Sequence, residues 1–205
     1  DRTSPMLMAT INGHFDLAMY LLARGADSTL ASDAGATPLY AALNMHWAPK
    51  SRHPQPTDYM QQETSYLTLM EATLNAGADV NVRLTKSLWY TTYNRDLLSV
   101  DRTGATPFWR AVYALDLPAM RMLLQYGADP TLPTLKVPGR RRRGDDTDHS
   151  GLPPVPLGGP AVYPIHAASG VGYGAGFAAN SHRHVPDGWI PTVKFLVEEL
   201  DADVN

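Results

Sequence analysis

The chain has no cysteine among its 205 residues, which rules out a disulfide framework and any thiolate metal site but fits reducing and oxidising compartments equally. Nor is there an excess of basic charge. A formal net charge of −3 and a pI near 6.1 lack the basic face of a general nucleic-acid binder. Long apolar runs are also missing. The long stretch free of Asp, Glu, Lys and Arg, Gly151 to Ser181, is broken by Pro153, Pro154, Pro156, Pro160 and Pro164 and by many glycines, so it is not a membrane helix. No His-Glu-x-x-His, Gly-x-Ser-x-Gly or calcium-loop pattern occurs, and a catalytic reading has no motif behind it.

What the chain has is punctuation that repeats, and a 44% hydrophobic content sufficient for a sizeable core. The unit is uninterrupted once, from Thr103-Gly104-Ala105-Thr106-Pro107 to Tyr126-Gly127-Ala128-Asp129. Thr106 is an N-cap candidate and Pro107 takes the first helical position, where a missing N–H costs nothing. Phe108, Ala111 and Val112 mark a short first helix. Asp116-Leu117-Pro118 stops it and starts a second, whose Met120, Leu123 and Leu124 form an apolar stripe. Gly127 falls where a left-handed helix stop is wanted.

Ser4-Pro5 precedes Gly25-Ala26-Asp27, Thr37-Pro38 precedes Gly77-Ala78-Asp79, and Tyr163-Pro164 precedes Asp201-Ala202-Asp203. Pro5 to Pro38 is 33 positions, and Pro5 to Gly25 and Pro107 to Gly127 are both 20. In these spacings, in the openings Thr37-Pro38-Leu39-Tyr40 and Tyr163-Pro164-Ile165-His166, and in the closings Gly77-Ala78-Asp79-Val80-Asn81 and Ala202-Asp203-Val204-Asn205, the chain resembles the ankyrin repeat proteins. The resemblance implies an all-α solenoid of about four helix-turn-helix repeats, at about 1–30, 31–82, 101–132 and 162–205, forming one array. No signal, transit or lipidation motif stands at Asp1. The first residues already lie inside a repeat and the last sit at a repeat boundary, so the chain is expected to be a piece of a longer protein.

Insertions of loop or hairpin character are expected at about 48–65, 82–100, 133–161 and 171–188, two in helix–helix turns and two in the fingers that join repeats. Within repeat one, helices are expected over Met6–Ile11 and Phe15–Arg24, with Leu17, Leu21 and Leu22 facing the core. In repeat two, Pro49, Pro54 and Pro56 make 48–57 a loop, after which Thr57 or Asp58 is expected to cap a helix over Tyr59–Asn75. Leu88–Tyr93 is β-branched and aromatic, the composition of a short hairpin. Loops of this length in a compact array are usually functional or disordered.

The family's fold implies a non-enzymatic module that binds a protein or peptide in a concave groove, with no cofactor, no nucleic acid and no membrane, as a monomer. By register with the family, the groove-facing positions singled out are Asn12, Asn44, Met45, Tyr113 and Ala114 on first helices, with Ile11, Gly170 and Val171 beside them. Arg102, Thr103, Ala34, Ala36 and Ala105 join them from the fingers, and Trp89 from an insertion. His166 holds the family's histidine position, where it steadies the turn; Tyr40 and Trp109 replace it elsewhere and are expected to pack on the neighbouring finger. Trp47, Trp89 and Trp189 lie in or beside insertions and are expected to pin them. One alternative is a metal or small-molecule site around His166, His182, His184 and Asp187. The other is a structural spacer in a longer array. Arg140–Arg143, balanced by Asp145, Asp146 and Asp148, reads as a solvated charge run, and the glycines alternating from Gly170 to Gly176 lack a phosphate-loop pattern.

Overall fold

The structure, a computed structural model, describes residues 2–48, 58–88, 100–138, 151–172 and 183–205. Among these residues are eight α-helices and no strand: α1 (Pro5–Ile11), α2 (Phe15–Ala23), α3 (Pro38–His46), α4 (Tyr66–Asn75), α5 (Pro107–Tyr113), α6 (Leu117–Gln125), α7 (Pro164–Ala168) and α8 (Trp189–Lys194). The last continues into a π-helical turn, Phe195–Glu199. None of the described helices is long and apolar enough to cross a membrane.

The local chemistry is copied from repeat to repeat. The hydroxyls of Ser4, Thr37 and Thr106 accept the N–H groups of Leu7, Tyr40 and Trp109 at 3.2, 3.5 and 3.1 Å, and each helix then begins on proline. The second helices stop at Gly25, Gly77 and Gly127, with φ of 87°, 93° and 87°. Around each glycine the two N–H groups that follow the helix turn back onto its last carbonyls, as in Gly127 to Leu124 and Ala128 to Leu123. Asp27, Asp79, Asp129 and Asp203 each accept the N–H two residues on, from Thr29, Asn81, Thr131 and Asn205. These closings are locally determined, which is why they survive the insertions between them.

The main helix packing among the described residues is between neighbours. The first helices form a continuous stack, α1 on α3, α3 on α5 and α5 on α7, and each second helix packs on the first helix of its own repeat. Phe108 and Val112 on α5 are fully buried, each contributing about 1.5–3 kcal/mol by removal from water. Trp109 is buried as well, stacks on Tyr113 at 5.1 Å, and donates its indole N–H to the Val162 carbonyl in the next finger. The fingers pair through their backbones: Thr85 donates to Ala34, Leu84 to Ala105, Gly104 to Leu84, Leu135 to Thr103, and Thr134 to Val162. Gly104 is needed there, because its φ is 82° and a Cβ would lie 2.5 Å from Leu135 Cγ.

Two expectations change. Leu17 is 47% exposed, and the fully buried residues of α2 are Phe15 and Ala18, with Leu21 and Leu22 half-buried against the core. The second helix of repeat two begins at Tyr66, not Tyr59. Asp58–Gln61 forms a separate 3₁₀ turn, and the Ser65 hydroxyl caps the helix from the N–H of Thr68. Asp16 causes the break. Its carboxylate accepts the N–H groups of Glu63 and Thr64, while Gln62 accepts its own N–H, so residues 62–64 are tied to the start of α2 and cannot turn helically. The expected hairpin at 88–93 falls outside the described residues, save Leu88, which is buried.

Candidate functional site

α3 and α5 are each apolar nearly all round, but each carries one polar side chain on the face where they meet. These are Asn44 and Arg110, both buried. Asn44 Oδ1 accepts Nε of Arg110 at 2.9 Å and Nη1 of Arg102 at 3.3 Å. Arg102 reaches the same oxygen from the finger preceding α5 and is itself buried. Arg110 Nη2 donates to the Trp47 carbonyl at 2.8 Å, and its Nη1 is buried with no hydrogen-bond partner. Burial lowers the Arg110 pKa to about 10, with the neighbouring charge of Arg102 acting in the same direction. The group stays cationic at neutral pH.

A second polar knot lies against the first. Asp116 is the N-cap of α6: Oδ1 accepts the Ala119 N–H at 3.1 Å. Its Oδ2 receives the indole N–H of Trp47 at 2.8 Å and the hydroxyl of Tyr66 at 2.7 Å. The expectation that Trp47 pins the start of its loop is met by this bond. Burial, then the Asp116 charge, pushes the Tyr66 hydroxyl well above the usual range. His46 stacks on Tyr66 at 3.9 Å and meets Trp47 and Tyr59 edge-on at 4.7 and 5.7 Å. Burial foremost, with the Arg183 charge, holds its pKa down to about 4. Arg183, from the insertion of repeat four, donates to the Tyr59 hydroxyl at 2.7 Å, and Val185 donates to the Ala114 carbonyl at 3.0 Å. The inter-helix turns of repeats two, three and four are thereby tied together.

Set against this geometry, the groove positions divide. Asn44 and Arg102 come together, but both are buried, and so are Met45, Tyr113 and Ala114; the expected exposure of these five is corrected. They are covered by contacts from neighbouring repeats, such as the Tyr113 hydroxyl donating to the Val171 carbonyl at 3.3 Å and Val185 against Ala114. Asn12 and Thr103 are partly exposed, as are Ile11, Gly170 and Val171. Ala34, Ala36 and Ala105 are buried in the finger pairing. Trp89 lies outside the described residues, as do His182 and Arg140–Arg143. His166 is exposed beside Tyr163, 6.1 Å between rings, while His184 is half-buried and meets Trp189 edge-on at 4.9 Å. Among the described residues no group of three His, Asp or Glu side chains could hold a metal ion.

Arg110, Tyr66, His46 and Arg183 were not singled out by sequence, and Asp116 was singled out only as the start of the second helix. One signal was there for Arg110, a charge within the otherwise apolar Phe108-Trp109-Arg110-Ala111-Val112, since charged side chains are almost never fully buried unless paired.

No protein-family model matches the chain, and no curated protein matches it. Among solved structures it is similar to the human ASB11 ankyrin repeat domain, with 22% sequence identity and a TM-score of 0.40, over 63% of this chain and 42% of that one. By its own geometry the chain is an all-α array of helix-turn-helix repeats, with a polar cluster buried between the second and third.

Proposed function

We propose that the chain is a non-enzymatic protein–protein interaction module that takes up a protein or peptide segment along its stacked first helices and fingers. The observation that supports this is the continuous α1–α3–α5–α7 stack, held in register by finger-to-finger backbone hydrogen bonds. A surface fixed in this way loses little conformational entropy on binding, so more of each contact appears as affinity. Asn12 and Thr103 are the solvent-reaching members of the groove set, and Trp89 remains a member on sequence grounds.

The test is selection of binders from a random peptide display library, followed by titration calorimetry. Replacing Asn12 and Thr103 together with arginine is expected to weaken the selected peptides at least about tenfold, in line with the loss of ~1.4 kcal/mol. Replacing Tyr20, which lies exposed on α2, is expected to leave them unchanged. Peptides that bind the Asn12/Thr103 variant as well as the parent, or that depend on Tyr20, place the binding surface elsewhere.

A further inference from the structure

Ahead of α7 the chain runs Leu152-Pro153-Pro154-Val155-Pro156-Leu157, in neither helix nor strand. Its prolines set its backbone. The rings of Pro153, Pro154 and Pro156 hold φ at about −65°, and the ring that follows Leu152, Pro153 and Val155 pushes each of them out of the helical region. Both constraints select polyproline II, a left-handed helix of about three residues per turn with no internal hydrogen bonds. Pro153 and Pro156 then share one edge, Leu152 and Val155 a second, and Pro154 stands on the remaining one. Residues 151–158 are exposed throughout, with Leu152 at 73%, Val155 at 43% and Leu157 at 68%. The downstream end is anchored. Gly159 donates to the Pro156 carbonyl at 2.9 Å, closing a turn in which Gly158 has a φ of 81°. Gly158 donates to the Lys136 carbonyl and Lys136 to that of Gly159, at 2.9 and 2.8 Å, and Ala161 donates to Thr134 at 2.9 Å.

We infer that residues 152–157 are a ligand in their own right, a proline ridge that the array presents to a partner protein whose groove is lined with aromatic side chains. Neighbouring apolar residues left this exposed mark an interaction site, and two properties choose the occupant. The first is charge. From Gly151 to Tyr163 there is no Asp, Glu, Lys or Arg, so a groove that reads charge finds nothing here. Flat aromatic faces match the proline rings, and indole or phenol donors match the outward carbonyls of a polyproline II backbone. The second is preorganisation. The conformation is fixed before the partner arrives, so little chain entropy is lost on docking. This inference is independent of peptide uptake along the first helices: the chain supplies the ridge and the partner supplies the groove.

The probes are three purified domains that bind polyproline II segments in aromatic grooves, one each of the SH3, WW and EVH1 types. Each is ¹⁵N-labelled and titrated with the unlabelled full chain, and the indole signal of its groove tryptophan is followed. A saturable shift in at least one domain is expected. Replacing Pro153 and Pro156 together with alanine removes one edge and is expected to weaken binding at least about tenfold, whereas Pro154→Ala is expected to weaken it less than about threefold. Because all three prolines are exposed, these variants are expected to unfold at the parent's midpoint. A midpoint lowered by more than about 5 °C would mean that the segment packs on the array, and overturns the inference. So does the absence of a shift in all three domains, or binding by the double variant as tight as by the parent. Self-association of the chain that the double variant abolishes would identify a second copy as the occupant, and overturns the aromatic groove as the partner.

Discussion

Replacing Asp116 with alanine removes three acceptor contacts at once, and the structure allows the cost to be built up term by term. The first is the N-cap of α6, where Oδ1 receives the Ala119 N–H; cap loss costs about 1 kcal/mol. The second and third are the donors left behind, the Trp47 indole N–H and the Tyr66 hydroxyl. Each is partly buried and loses a charged acceptor, at about 1–3 kcal/mol apiece. Water reaching a partly buried group recovers some of this, so the total is about 2–5 kcal/mol. For a chain of this size that lowers the thermal midpoint by about 5–20 °C. Urea unfolding followed by tryptophan fluorescence and, independently, by circular dichroism measures it. Combining Asp116→Ala with Trp47→Phe sharpens the test, since the double variant no longer contains the orphaned indole N–H. Its loss is therefore expected to be smaller than the sum of the two single losses by about 1 kcal/mol or more. Strict additivity, or a loss under ~0.5 kcal/mol for Asp116→Ala, would show that the knot contributes nothing beyond its helix cap.

Gly104→Ala is expected to cost about 1–3 kcal/mol through the left-handed backbone alone, and more through the contact with Leu135; Gly127→Ala, with nothing within 4 Å, is expected to show only the backbone part, by the same urea titration. His46 sets a pH dependence. Its folded pKa of about 4 lies below the unfolded value near 6.5, so the unfolded chain binds the extra proton first and stability falls as pH drops from about 6.5 to 4. Allowing for partial exposure of the ring, the fall is about 1–2 kcal/mol, and His46→Phe should flatten that limb of the stability–pH curve; an unchanged limb would place the titration elsewhere. Thr106→Ala is expected to lose about 1 kcal/mol with its cap to Trp109, read as a shift in urea midpoint at unchanged slope.

Where structure is set by a few neighbouring residues, the sequence carried it. The Thr-Pro starts, the glycine stops and the Asp turns appear at the positions their spacing indicates, because a cap, a ring-locked φ and a left-handed residue act within four or five positions. The start of α4 at Tyr66 could not be read in this way. The bond that breaks the helix comes from Asp16, some 47 positions earlier in the chain, and competes with a Thr57 or Asp58 cap that looks adequate locally. The groove positions went astray for a related reason. Register with an uninterrupted repeat assigns Asn44, Tyr113 and Ala114 to solvent, yet residues 171 and 183–188, supplied by the fourth repeat and its insertion, lie over Tyr113 and Leu115, and Gly188 approaches so closely that a Cβ there would meet Leu115 at 2.8 Å. Arg110 joins Asn44 across 66 positions, a pairing that neither periodicity nor spacing encodes.

The finger pairing bears on how this protein can be altered. Ser87 receives the Arg102 N–H and donates to Asp101, and Lys136 exchanges backbone hydrogen bonds with Gly158 and Gly159. Each set of bonds closes a neck, holding residue 87 beside 101–102 and residue 136 beside 158–159. Closing a longer excursion across such a neck costs only about 0.6 kcal/mol for each doubling of its length. The ties at Ser87 and Arg102 and at Lys136, Gly158 and Gly159 therefore let the helices on either side keep their mutual register whatever length of chain joins them. A tie of this kind separates the stability of the array from the length of the connection it closes.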